Sequence, residues 1–136
     1  MNKEFSTQWK ASKQARKQRK YLANAPLHIK RKMVSCHLSK ELRNKYARRS
    51  FAVRKGDMVK IMTGEFKDKT GKVSLIDVNK MRLAIEGLQM TKKDGSKTNA
   101  LFNASNVMIT EINLDDKKRL ESIKKESKIN EKEAKK

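Results

Sequence analysis

The sequence predicts a mainly β fold: a small barrel or sandwich of about five short strands, with a basic arm before it and a charged tail after it. Three observations predict this. Between residues 58 and 109 apolar residues come in short alternating runs, broken by turn signals every 8–12 residues or so. Positive charge is concentrated ahead of those runs: residues 1–50 hold 15 Lys+Arg against 2 Asp+Glu, residues 51–110 hold 11 against 6, and residues 111–136 hold 9 against 7. Only 36% of the 136 residues are hydrophobic and 5% are aromatic, too few to fill one core along the whole chain. The division expected is therefore an arm over residues 1–50, a β unit over residues 51–112, and a tail over residues 113–136.

The arm comes first. In SKQARKQRKY, residues 12–21, Ser12 is placed to cap a helix of good helix formers. Lys13, Arg16, Lys17, Arg19 and Lys20 fall on nearly every face of it, so a partner must order it. Pro26 suits the start of a second short helix, residues 27–34, carrying Lys30, Arg31 and Lys32. Ser39 is the expected N-cap of a third, residues 40–47, with Glu41 favourable to its dipole. Leu38, Leu42 and Tyr46 form its apolar stripe, which docks on the β unit and leaves Arg43, Lys45, Arg48 and Arg49 outward.

The β unit follows. Residues 58–63, 72–78, 81–85, 88–90, 98–102 and 106–109 read as strands or parts of strands. Asn79-Lys80 reads as a two-residue turn, and Asp94-Gly95 is a strong hairpin signal. The tail opens with Asp115 and Asp116 ahead of Lys117, Lys118 and Arg119, as a helix dipole prefers. Leu120 and Ile123 are almost its only apolar residues, so the rest reads as a solvated helix or disorder.

The chemistry points to a polyanion. A net charge of +20 is self-repelling unless a partner neutralises it. No apolar run approaches the roughly 18 residues of a membrane helix, and no secretory h-region follows the N-terminus. A basic, Ser-containing start is similar to a mitochondrial transit peptide, but the basic character continues past residue 30, which ranks that reading second. His28, Cys36 and His37 are scattered soft ligands without a carboxylate cluster, so no metal or cofactor is expected; the histidines are read as contacting phosphate or backbone. No clustered His and carboxylates and no GxxxxGK loop support an enzyme, and no small-molecule substrate is expected.

Residues 53–61 (VRKGDMVKI), then GEFK at residues 64–67, then KTGKV at residues 69–73, resemble a KOW motif, the seed of an SH3-like barrel in ribosomal and transcription-elongation proteins. Gly56 and Asp57 suit the turn into the first strand, Gly64 bends the chain off it, and Gly71 is expected in a backbone conformation closed to other residues. Lys67, Lys69 and Lys72 stand on or beside one loop with Phe66, which either stacks on bases or closes the core.

The resemblance is wider than that motif. SKQARKQRK, NAPLHIKRK, LSKELRNKYARRSF, VRKGD, Ile85-Glu86-Gly87, Lys93-Asp94-Gly95 and residues 105–109 (SNVMI) occur in one order. That order resembles the universal large-subunit ribosomal protein family called L-twenty-four in bacteria and L-twenty-six in eukaryotes, in its archaeal-and-eukaryotic branch, over roughly residues 12–116. Ala52 departs from it where a proline is expected, and so do residues 101–104 (LFNA), in place of a segment with proline and histidine.

The resemblance implies a structural protein of the large ribosomal subunit in the cytoplasm. It implies binding to large-subunit ribosomal RNA early in assembly, near the peptide exit tunnel and beside neighbouring ribosomal proteins. The RNA-binding residues expected are Lys13, Arg16, Lys17, Arg19, Lys20, Lys30, Arg31, Lys32, Arg43, Arg48 and Arg49 from the arm. From the barrel they are Arg54, Lys55, Lys60, Phe66, Lys67, Lys69 and Lys72. The alternative is a KOW-type nucleic-acid- or polymerase-binding module of a transcription-elongation factor. That reading needs a separate polymerase-binding domain, and residues 1–50 are short and basic for one.

Overall fold

Alternation builds the sheet. In Met58–Ile61 (β3), Val59 and Ile61 are fully buried while Met58 and Lys60 lie half-exposed between them. The same pattern of buried and open positions runs through Ser35–Leu38 (β1) and Val107–Glu111 (β7). Ser50–Ala52 (β2), Thr70–Asp77 (β4), Arg82–Thr91 (β5) and Lys97–Asn103 (β6) complete seven strands. These come from a computed structural model that describes residues 5–119 and 121. Ahead of and between the strands lie a 3-10 turn at Thr7–Ala11 and the helices Ala15–Asn24 (α1), Leu27–Met33 (α2) and Lys40–Tyr46 (α3).

The strand order is β2-β1-β7-β3-β4-β5-β6, with β2 and β6 as its two edges, so the sheet is not closed. All pairings are antiparallel except β1 with β7, where His37 and Leu38 run beside Met108 and Ile109. One core cluster joins Phe51 near one edge to Leu83, Ile85 and Leu88 on β5. A sheet whose far strands share one core must curl, and the result is a small, barrel-like, mainly β fold.

Several local expectations hold. Ser39 caps α3, its Oγ accepting from the Leu42 amide at 3.4 Å. Leu42 and Tyr46 pack against the core, and Gly95 at φ +82° makes the hairpin between β5 and β6. Others are corrected. Ser12 does not cap α1: its Oγ accepts from the Gln14 amide, within the link from the 3-10 turn, and the helix starts after Gln14. Leu38 belongs to β1, a strand drawn from within residues 1–50, and not to the α3 stripe. Residues 81–85 and 88–90 are parts of one strand: Gly87 at φ +78° and a register shift between Ala84 and Gln89 let β5 bulge without ending. The turn before β5 is wider than two residues; the Lys80 amide donates to Asp77 Oδ1 at 3.0 Å, and Met81 is left-handed at φ 55°.

Gly71 is not in a left-handed conformation. It is needed for space: a Cβ there would lie 2.6 Å from Ile85 Cγ2 and 3.1 Å from the Glu86 carbonyl oxygen. The chain turns helical again at residue 117. The expectation for Leu120, Ile123 and the rest of the tail lies outside the described residues.

Candidate nucleic-acid interface

The open edge of the sheet gathers positive charge. The last turn of α2 carries Lys30, Arg31 and Lys32, and α2 lies against β2. Two grooves flank this strand. One, of about 520 Å³, is bordered by Arg31, Arg54 and Lys55 above an apolar floor of Val34, Val53 and Ile76. The other, of about 420 Å³, is bordered by Lys32, Arg48, Arg54 and Arg119. Arg54 borders both. Cations from the arm, from the link between α3 and β2, and from the turn before β3 thus meet within one surface.

That turn is built by Asp57, whose side chain is fully buried. Its Oδ2 accepts from the Arg54 amide at 2.8 Å, and its Oδ1 from the Asn113 amide at 2.9 Å. Arg119 completes it with a two-pronged ion pair, Nη1 to Oδ1 at 2.6 Å and Nη2 to Oδ2 at 2.7 Å. Arg119 Nη2 also donates to the Ala52 carbonyl at 3.2 Å, which ties the helical residues 117–119 to β2. Gly56, at φ +92°, lets the turn close. Arg54 itself forms an ion pair with Asp116. Lys72, expected beside the loop of Lys67 and Lys69, instead pairs with Met58 and passes beside Gly56, so it joins Arg54 and Lys55 at this end of β3.

The loop between β3 and β4 forms a second patch, where Lys67 and Lys69 are exposed. Lys60 is turned to a partner within the loop: its Nζ meets Asp68 Oδ1 at 2.9 Å. That hydrogen bond, then the charge of Lys60, holds the Asp68 carboxyl below its ordinary value. Phe66 is half-buried against the core and edge-on to Phe102, with ring centroids 5.7 Å apart. Lys69 Nζ lies 4.8 Å from the Phe66 ring centre. The aromatic therefore closes the core edge and braces a lysine above it.

The arm forms a third patch. Arg16, Lys17 and Lys20 border a groove of about 350 Å³ with Trp9 and Gln14. Lys13 and Arg19 are exposed outside that lining. Lys30 Nζ reaches the Ala23 carbonyl at 3.5 Å, and Arg43 Nε donates to the Leu38 carbonyl at 2.8 Å. Arg43 thus ties α3 to β1. Arg49 is exposed beside β2. Cys36 is in the core; burial, then the charge of Asp57, pushes its thiol up to about 12. His28 is exposed on α2 and His37 half-buried on β1.

Sequence reasoning missed the Asp57–Arg119 pair and Trp9. Asp57 stood inside a recognisable turn, but nothing local marks Arg119 among its neighbouring lysines. Trp9 had a signal: it is the single tryptophan, set among cations.

Residues 12–126 match the family described as the eukaryotic ribosomal proteins L-twenty-six and their archaeal L-twenty-four counterparts. The chain belongs to that family. It is also similar to the large ribosomal subunit protein uL24 of Methanosphaera stadtmanae, 46% identical over 112 residues, which are 82% of this chain and 96% of that protein. The stretch matched to the family takes in α1, α2, α3 and all seven strands, and with them both grooves beside β2. Trp9 lies ahead of it.

Proposed function

We propose that this chain is a structural constituent of the large ribosomal subunit that binds large-subunit ribosomal RNA through its arm and the β2 edge. Membership of the eukaryotic and archaeal ribosomal family supports the ribosomal part. The observation that carries the RNA part is the meeting of Arg31, Lys32, Arg48, Arg54 and Lys55 on two grooves that share Arg54. Guanidinium groups take phosphate oxygens with two parallel hydrogen bonds, and a turn locked by Asp57 presents Arg54 without a large ordering cost.

The β2 edge and the arm have different tasks. The β2 edge is preorganised and reads the shape of folded RNA, while the arm adds phosphate contacts along its path. Lys67, Lys69 and Lys72 extend the charged track along the β3–β4 hairpin, with Phe66 acting by holding Lys69 in place. Binding early in assembly, a position near the peptide exit tunnel, contacts with neighbouring ribosomal proteins and residence in cytoplasmic ribosomes follow on this reading.

The test is binding of the full chain to its own organism's large-subunit ribosomal RNA, transcribed in vitro, across a salt series. The reading expects tight binding whose logarithm falls linearly with the logarithm of salt, by roughly 0.7–0.9 per phosphate contacted. Binding no tighter than to an unrelated RNA of equal length, at every salt concentration, contradicts it.

A further inference from the structure

The first helical turns hold an indole in the open. Trp9 is 43% exposed, in a chain whose other described aromatics are all buried or partly so. Phe5 packs on Tyr21, Phe51 is in the core, Phe66 meets Phe102, and Tyr46 packs against the core. Trp9 instead borders the groove of about 350 Å³ with Gln14, Arg16, Lys17 and Lys20.

Its position is fixed from behind. Gln18 on α1 donates through Nε2 to the carbonyls of Ser12 at 2.5 Å and Trp9 at 3.2 Å, which ties the 3-10 turn to the helix. The Ser12 amide donates to the Trp9 carbonyl at 3.2 Å and closes the turn. Ser6 caps the turn's start, accepting from the Gln8 amide at 3.3 Å. Lys17 Nζ lies 4.2 Å from the ring centre, over the indole face. A large flat π-surface, an exposed groove and three cations spaced along one helix are together the requirements of an unpaired nucleotide. The base stacks on the ring, and the cations take its phosphate and the next.

We propose that Trp9 and Arg16, Lys17 and Lys20 form a site for an unpaired RNA nucleotide, with the indole stacking on the base. The inference rests on the RNA-binding reading above and adds what the cations alone cannot supply: preference for single-stranded over fully paired RNA. The occupant is RNA and not an acidic protein segment, because the ring offers a base a face to stack on, which a carboxylate does not use; among the described residues only cations, Trp9 and Gln14 border the groove. In the free chain Lys17 is held over the ring, and a phosphate that draws it away frees that face for the base.

Trp9 is the chain's single tryptophan, so indole emission reports this site alone. The probes are a single-stranded oligonucleotide of about 12 nucleotides of RNA and its fully paired duplex, titrated into the full chain. Quenching by the single strand and little by the duplex is expected. Trp9→Ala is expected to weaken single-strand binding roughly 5- to 150-fold, the range of one base–aromatic stack, with the salt slope unchanged. Trp9→Phe should restore part of the loss. Lys20→Gln should instead lower the slope by about 0.7, as one lost phosphate contact does.

Trp9→Ala binding RNA as tightly as the unchanged chain, with indole emission unmoved in the latter, overturns this site and leaves the RNA-binding reading standing. Equal quenching by strand and duplex overturns the stacking role. Emission that shifts with purified large-subunit proteins and not with RNA makes Trp9 a protein contact and also overturns it. Failure of the unchanged chain to bind its own ribosomal RNA overturns both readings. Circular dichroism of each variant checks that the sheet is intact.

Discussion

Arg119 grips Asp57 across 62 positions of sequence with two hydrogen bonds of 2.6 and 2.7 Å, and both side chains are almost fully removed from solvent. Around that pair the turn before β3, the Asn113 backbone and the Ala52 carbonyl are drawn together. The pair therefore sets the geometry of the basic edge and couples it to the helical residues 117–119.

Breaking one partner should expose the asymmetry of buried ion pairs. Arg119→Ala leaves a carboxylate buried without its counter-charge, and the expected loss is about 3–5 kcal/mol of folding stability. Urea denaturation followed by circular dichroism measures it. A loss under about 1 kcal/mol means that the pair is solvated and does not hold the turn.

Gly71 is constrained by β5. Because an added Cβ would meet Ile85 Cγ2 at 2.6 Å, Gly71→Ala is expected to cost about 1–3 kcal/mol through overpacking. Gly64→Ala has nothing within 4 Å of the added carbon, so only its left-handed backbone resists the change. Thermal melts of the pair separate the two causes: adding Ile85→Leu, which removes the Cγ2 branch at similar volume, should recover part of the Gly71→Ala loss and none of the Gly64→Ala loss.

Cys36 carries a pH dependence. Its folded thiol is raised from 9.0 to about 12, so the native state favours the protonated form. The associated stability is fully present below pH 9 and is lost as pH rises from there toward 12. The folded chain should resist iodoacetamide at pH 8 and react promptly in urea. Rapid labelling of the native chain contradicts the burial.

Arg54→Gln and Lys55→Gln test the groove. Each should weaken binding to ribosomal RNA at low salt and lower the salt slope by roughly 1. The fold should survive, since both side chains are exposed. Salt titrations of the single and double variants are the measurement, and an unchanged slope removes these residues from the interface.

Much of this architecture is legible from local pattern. β3 alternates apolar and polar residues, Ser39 stands three before the amide it caps, and Asp94-Gly95 marks its own turn. β1 is not legible, because a four-residue strand after a basic helix gains its identity from pairing with β7, far along the chain. Gly71 was recognisable as required, but a sequence does not distinguish a backbone that needs freedom from one that needs room. The cations were recognisable as a group. Their convergence on Arg54 was not, because it depends on α2 lying against β2 and on Arg119 reaching Asp57. Phe66 had two readings in the sequence, and its edge-on contact with Phe102 needs β6 in place.

The central claim is that the chain is an integral part of the large ribosomal subunit, held by RNA. Sucrose-gradient sedimentation of a native lysate, probed for this chain before and after a high-salt wash, tests it most directly. The account predicts stoichiometric presence in the large-subunit peak that survives the wash. Absence from that peak, or loss at modest salt, contradicts it and describes a peripheral factor.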